Sequence, residues 1–183
     1  MSRLTVFADD APGAARLITS DPAEIAAGLS EIGVVFERWA AEARLSADAD
    51  DAAVLAAYAG DIARLKAAGG YQAVDVVRVT PSTPNTEALR AKFLAEHTHA
   101  DDEVRFFVEG AAQFYLHKGG KVFAVVCEAG DLISVPAGTR HWFDMGEQPR
   151  FTALRLFISP EGWVAQFTGA PIAEDFPKFE KAA

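Results

Sequence analysis

His97-Thr98-His99-Ala100-Asp101-Asp102-Glu103-Val104-Arg105-Phe106-Phe107-Val108-Glu109-Gly110 is the stretch on which the reading of this chain turns. It sets two imidazoles and a carboxylate into His-x-His-x-x-x-Glu, and a glycine closes the apolar run that follows. The chain has only four histidines, and two of them lie here. On a strand, residues two apart face the same way, so His97 and His99 share a face. Ala100-Asp101-Asp102 has the composition of a turn. Glu103 then opens a second strand, with Glu103, Arg105 and Phe107 on one face and Val104, Phe106 and Val108 on the other. Two imidazole nitrogens and a carboxylate oxygen on adjacent strands make most of a transition-metal site.

A second cluster offers the fourth ligand. Gly130-Asp131-Leu132-Ile133-Ser134-Val135-Pro136-Ala137-Gly138-Thr139-Arg140-His141 reads Gly-x5-Pro-x-Gly-x-x-His. A glycine starts a strand, Pro and Gly turn it, and a histidine begins the next. These two clusters resemble the two cupin motifs. The first matches at every fixed position from His97 to Gly110, although Ala91 stands where a glycine usually precedes it. The second matches through His141, with Met145 in place of a frequent, non-ligating Asn. The resemblance implies an α+β chain: a cupin-type antiparallel β-barrel (double-stranded β-helix) with N-terminal helices packed alongside.

Composition bounds what such a chain does. At 183 residues it is read as a single domain, residues 1–183, and half its residues are apolar, enough for a substantial core. The expected division is a mainly helical part over 1–70, a metal-binding barrel over 74–160 and a tail over 161–183. A formal net charge of −9 argues against nucleic acid and anionic membrane as partners. The one cysteine, Cys127, has no partner for an internal disulfide and reads as a buried, inert thiol. No secretory leader opens the sequence and no apolar run reaches membrane-spanning length, so a cytoplasmic protein is expected. A monomer is expected as well.

Leu4-Thr5-Val6-Phe7 alternates weakly and predicts a short strand. Asp21-Pro22-Ala23-Glu24 predicts a helix start, and Ile25, Leu29, Ile32, Phe36 and Trp39 continue at helical spacing. The acidic stretch from Asp48 to Asp51 precedes a second helix with Leu55, Tyr58, Ile62 and Leu65 on one stripe, which Gly69-Gly70 stops. Val74 to Val79 reads as a strand. Thr83-Pro84 starts a short helix that carries Leu89 and Phe93 towards His97. Beyond it come short strands and turns, including a hairpin at Gly119-Gly120 and a strand from Thr152 to Ile158. The tail from Pro160 is turn-rich.

Two arginines interrupt apolar strands, Arg105 and Arg155, and a lone buried charge is costly. Each has two readings: a structural ion pair with an acid such as Glu109, or a cation facing an anionic substrate beside the metal. His117 has no partner at metal spacing and reads as a hydrogen-bonded or solvated strand histidine. Phe93, Phe143 and Trp163 read as core residues.

A closer resemblance lies in Leu89-Arg90-Ala91-Lys92-Phe93, Glu96-His97-Thr98-His99-Ala100-Asp101-Asp102-Glu103-Val104-Arg105-Phe106, His141-Trp142-Phe143-Asp144, the Arg155 strand and Trp163. From about Val74 to Trp163 the chain is similar to acireductone dioxygenases of methionine salvage. The resemblance implies one Fe(II) or Ni(II) per chain, held by His97, His99, Glu103 and His141. It implies a small-molecule substrate and O2, with Arg105 and Arg155 steadying negative charge and Asp102 as proton acceptor. Phe93, Phe106, Phe143 and Trp163 are its expected pocket walls. In this family the iron form yields formate and 4-methylthio-2-oxobutanoate, and the nickel form yields 3-methylthiopropanoate, formate and CO. Ligand type alone leaves both metals open. Two alternatives stand beside this reading: another cupin dioxygenase or isomerase, and a cupin that binds metal or a small ligand without turnover.

Overall fold

The structure is a computed structural model describing residues 1–39, 45, 49–159 and 161–180. Its strands are β1 (Arg3–Ala8), β2 (Ala11–Thr19), β3 (Val35–Arg38), β4 (Ala73–Val79), β5 (His97–Thr98), β6 (Glu103–Lys118), β7 (Lys121–Glu128), β8 (Asp131–Val135), β9 (Arg140–Asp144), β10 (Phe151–Phe157) and β11 (Gln166–Phe167). The helices are α1 (Pro22–Ser30), α2 (Asp51–Ala57), α3 (Ala59–Gly69) and α4 (Thr86–Leu94). Asp48 and Pro160, which entered the sequence reading, lie outside the described residues.

β6 organises the barrel because its two halves belong to different sheets. Its first half pairs with β10 and β8, which carry β4 and β3 on their outer sides. Its second half pairs with β7 and β9, and that sheet runs on to β1 and β2 at one side and to β5 and β11 at the other. All these pairings are antiparallel. The hand-over sits at Gly110, where φ is +73° and a Cβ would come within 1.9 Å of the Arg150 carbonyl oxygen. Only glycine fits there. A register shift opposite Thr152 and Ala153 skips Val108, a β-bulge that resets which side chains face inward. Before it, Phe107 belongs to the interior cluster. After it, Ala112, Phe114 and Leu116 do.

Three apolar clusters follow from that alternation. The interior one joins Phe107, Phe114, Ile133, Phe143 and Phe151 to Ile25 and Leu29 of α1. A second, on the outer face of the first sheet, packs Val104, Phe106, Leu132 and Leu154 beneath Val54, Tyr58 and Ile62. The third packs Tyr115 and Trp142 beneath Ala173 and Phe176 of the C-terminal segment.

Two expectations are corrected. α1 starts where Asp21 predicts, with its carboxylate accepting from the backbone of Ala23 and Glu24, but it ends at Ser30. Ile32, Phe36 and Trp39 do not extend it, because residues 35–38 form β3 against β8. A spacing of four is shared by a helical stripe and a strand face, and Val34 and Phe36 are buried while Val35 between them is exposed. The second helix is two: the chain breaks at Tyr58, and α3 ends at Gly69 as its Gly-Gly pair predicts. The weak N-terminal strand is one arm of the β1–β2 hairpin, whose outer strand the sequence reading missed. Among the described residues no helix is long and apolar enough to cross a membrane.

Candidate metal centre and substrate pocket

His97 on β5 stands in register with His141 on β9, and their rings are 4.4 Å apart between centroids. His99 follows two residues on, with its ring 5.1 Å from each of the other two. One ligand nitrogen from each of the three lies within 4.8 Å of the others. Glu103, first residue of β6, brings Oε2 to 3.1 Å from His141 Nε2 and 3.5 Å from His99 Nε2. The four residues expected as ligands are thus brought together from three strands and the turn after β5.

Local backbone groups fix the imidazoles. His97 Nδ1 donates to the Ala95 carbonyl at 2.7 Å, and His141 Nδ1 donates to that of Thr139 at 2.8 Å. Each bond leaves an Nε2 lone pair for a metal, the usual way a neighbouring carbonyl orients a ligating histidine. His141 Nε2 is buried without a hydrogen-bond partner despite its closeness to Glu103. His99 Nδ1 is buried without a hydrogen-bond partner among the described residues. Burial, reinforced by His141, lowers the pKa of His97 to about 4, and burial lowers that of His99 too. For Glu103, burial pushes upward, but the Arg105 charge and the adjacent imidazoles win and hold the carboxyl well below its usual range. Neutral imidazoles, an ionised carboxylate and a buried orphan Nε2 are the protonation states and the vacancy in bonding that a divalent ion satisfies, so the residues fit one.

The four side chains line a cavity of about 180 Å³, below the roughly 300–1,000 Å³ usual for ligand pockets and so suited to a compact molecule. Of the expected wall residues, Phe93, Phe143 and Trp163 line it, as do Arg105 and Arg155. Phe106 does not. It lies on the opposite face of β6, against Trp39 and Tyr58, as strand alternation from Glu103 requires. Asp102 is not a lining residue either: its carboxylate accepts from the Ala137 backbone at 2.8 Å and ties the two motif turns together. With Glu103 turned inward, the preceding side chain turns out. His117 is buried and bonded to Glu96 at 2.6 Å, away from the centre.

Sequence reasoning missed Lys92, Phe157 and Ala165 as lining residues, and gave Leu89 no site role. The signal was periodicity. Leu89, Lys92 and Phe93 share one face of α4, and Phe157 and Ala165 stand two residues from Arg155 and Trp163.

The arginines form the most distinctive electrostatic feature. Arg105 and Arg155 stand directly opposite each other on β6 and β10, and Asp75 on β4 stands opposite Arg155. Asp75 takes Arg155 through both carboxylate oxygens, at 3.0 and 2.6 Å, so the partner is not Glu109. Arg105 donates to Glu103 Oε1 at 2.7 Å and lies 4.3 Å from the centroid of the Phe143 ring. Its Nε has no hydrogen-bond partner among the described residues. Like charges opposed across a ladder cost stability, and such costs collect where function needs them. Among the lining residues Lys92, Arg105 and Arg155 face one carboxylate, Glu103, so the pocket favours an anion although the chain is acidic.

A two-sheet barrel with three histidines and a glutamate at its mouth defines a metal-binding cupin with helices outside. The model of the ARD/ARD' family matches residues 3–165. An acireductone dioxygenase of Parvibaculum lavamentivorans is 64% identical over 98% of this chain and 98% of its own length. One from a Synechococcus species is 55% identical over 98% of this chain and all of its own. Among solved structures, the acireductone dioxygenase of Bacillus anthracis, with a cadmium ion in its active centre, is 34% identical. It covers 91% of this chain and 98% of its own at a TM-score of 0.79. The chain belongs to the ARD/ARD' family and is, like these relatives, a dioxygenase.

Proposed function

We propose that this chain cleaves the acireductone 1,2-dihydroxy-5-(methylthio)pent-1-en-3-one with O2 in cytoplasmic methionine salvage, as a monomer with one Fe(II) or Ni(II). The iron form gives formate and 4-methylthio-2-oxobutanoate. The nickel form gives 3-methylthiopropanoate, formate and CO. The observation that carries the reading is the row Asp75, Arg155, Arg105 across the sheet beside the histidine–glutamate centre. A barrel that only stored a metal would not need opposed arginines at its pocket.

When bound to His97, His99, Glu103 and His141, the ion supplies Lewis acidity and a template for the two enediol oxygens. The chain's residues do the rest. Arg105 keeps Glu103 ionised through its 2.7 Å bond, and its free Nε is a donor for a substrate oxygen. Arg155 is held rigid by Asp75, which pre-positions its charge at the cavity wall. Leu89, Phe93, Phe157 and Trp163 offer an apolar wall for a methylthio tail and displace water around the reacting oxygens. Among the lining residues Glu103 is the one carboxylate and it is committed to Arg105, so the enediol is read as entering already ionised, drawn by the cations.

The test is to strip the protein with chelator, reload it with Fe(II) or Ni(II) separately, and follow oxygen uptake and headspace CO with the acireductone. CO from the nickel form alone is the expected result. Equal CO from both, or no oxygen uptake by either, would mean a different cupin chemistry.

A further inference from the structure

Between β10 and β11 the described residues 161–165 run along the pocket, and Trp163 and Ala165 on this crossing line the cavity. The crossing is pinned at both ends to the chain that carries the first two histidines. At its far end β11 pairs with β5, Gln166 opposite Thr98 and Phe167 opposite His97. Thr168 adds a backbone donor to the Glu96 carbonyl at 3.0 Å and a hydroxyl to the Glu96 carboxylate at 2.7 Å. At its near end the pin is one residue, Asp101, from the turn between His99 and Glu103. Its Oδ2 accepts from both the backbone N–H and the hydroxyl of Ser159, each at 2.8 Å. The Gly162 N–H donates to the Ser159 carbonyl at 3.2 Å. A Cβ at Gly162 would stand 2.0 Å from Asp101 Oδ2 and 2.5 Å from its Cγ. The carboxylate is therefore seated where the crossing strand has left room for it.

We propose that Asp101 is a positioning residue that clamps the 161–168 strap over the metal pocket and sets where Trp163 and Ala165 stand. Asp101 is not among the cavity-lining residues, so it acts through the strap rather than on substrate. His99 and Glu103, two of the proposed metal ligands, flank the turn that carries the clamp, so pocket closure and ligand geometry are built from one piece of chain. The two hydrogen bonds hold a segment with three exposed apolar residues, Trp163, Val164 and Phe167. The turnover part of the test rests on the function proposed above; the exchange part does not.

The experiment compares Asp101→Ala, Asp101→Asn and Ser159→Ala in the full chain. Amide hydrogen exchange is read on peptides spanning 161–168, with β7 peptides as internal control, beside steady-state kinetics of the metal-loaded protein. Asp101→Ala is expected to speed exchange of the strap at least 10-fold and to raise KM more than it lowers kcat, with β7 unchanged. Asn keeps a neutral acceptor oxygen for Ser159, so Asp101→Asn should recover most of both effects. Ser159→Ala keeps the backbone donor and should fall between. Ser159→Ala also decides the matter if Asp101→Ala does not fold. Unchanged strap exchange in Ser159→Ala and in whichever Asp101 variants fold overturns the clamp. So does Asp101→Asn losing turnover as fully as Ala with normal exchange, which would assign Asp101 a charge role. If the parent chain does not turn over acireductone, the proposed function fails while the exchange arm still decides the clamp.

Discussion

Arg105 donates to a metal-ligand candidate, Glu103, while its guanidinium lies against the Phe143 ring and leaves Nε free. Removing it strands a fully buried carboxylate without its main counter-charge. Arg105→Ala is therefore expected to weaken metal retention and to lower kcat/KM on the order of 10²-fold. Metal content after gel filtration and oxygen uptake would check both. Arg155 differs, because its partner Asp75 is not a ligand candidate. Arg155→Ala should keep the metal and still lose kcat on the order of 10²-fold. Near-parental turnover in a folded Arg155→Ala protein would make the Asp75 pair purely structural. Phe106 illustrates how alternation outranks neighbourhood: it adjoins Arg105 in sequence but sits in a different apolar cluster.

α4 carries three lining residues, Leu89, Lys92 and Phe93, and one buried acid adds a polar tie to the apolar packing of Leu89 and Phe93 on the barrel. Asp144 at the end of β9 is fully buried and accepts from Arg90 Nε at 2.8 Å and Nη2 at 3.1 Å, from Gly146 N and from Phe179 N. It lies three residues from His141 on the same strand, so helix and ligand are tied at one place. Asp144→Ala leaves Arg90 with only its 3.8 Å pairing to the exposed Glu147, strips two backbone donors of their acceptor, and should cost about 3–5 kcal/mol in urea unfolding. Gly110→Ala tests the hand-over between the sheets. The added Cβ meets the Arg150 backbone at 1.9 Å in a left-handed conformation, so a loss of about 3 kcal/mol or more is expected by the same measurement.

Packing at the scale of the whole molecule buries His97 and His99 and favours their neutral forms before any metal binds, and this has a sign. His97 titrates at about 4 when folded, against an ordinary 6.5, so the unfolded chain binds more protons between those values. The stability this confers is present above about pH 6.5 and is lost as pH falls towards 4. Glu103, also lowered, adds a loss in the same direction at still lower pH. Metal-stripped protein is expected to lose about 2 kcal/mol of unfolding free energy from His97 alone between roughly pH 7.5 and pH 5. Bound metal should flatten that slope at first, because it binds the folded state. A stripped protein as stable at pH 5 as at pH 7.5 would mean the His97 imidazole is not held neutral.

The four candidate ligands that the fold brings together, the barrel class and most strands were legible in the amino-acid order because they depend on local rules. Two histidines two apart share a strand face, Pro-x-Gly turns the chain ahead of His141, and Gly119-Gly120 makes a hairpin. What those rules do not reach is which strand lies beside which. The row Asp75, Arg155, Arg105 joins three strands far apart in sequence, and its register comes from sheet order and a bulge at Val108. The seat of Asp101 beneath Gly162 and the outward turn of Asp102 likewise arose only once the strap lay along the pocket. Apolar spacing at Ile32 and Phe36 was compatible with helix and strand alike, and pairing with β8 chose the strand. Local chemistry selects a residue's face, whereas the partner on that face is selected by the packing of the entire barrel.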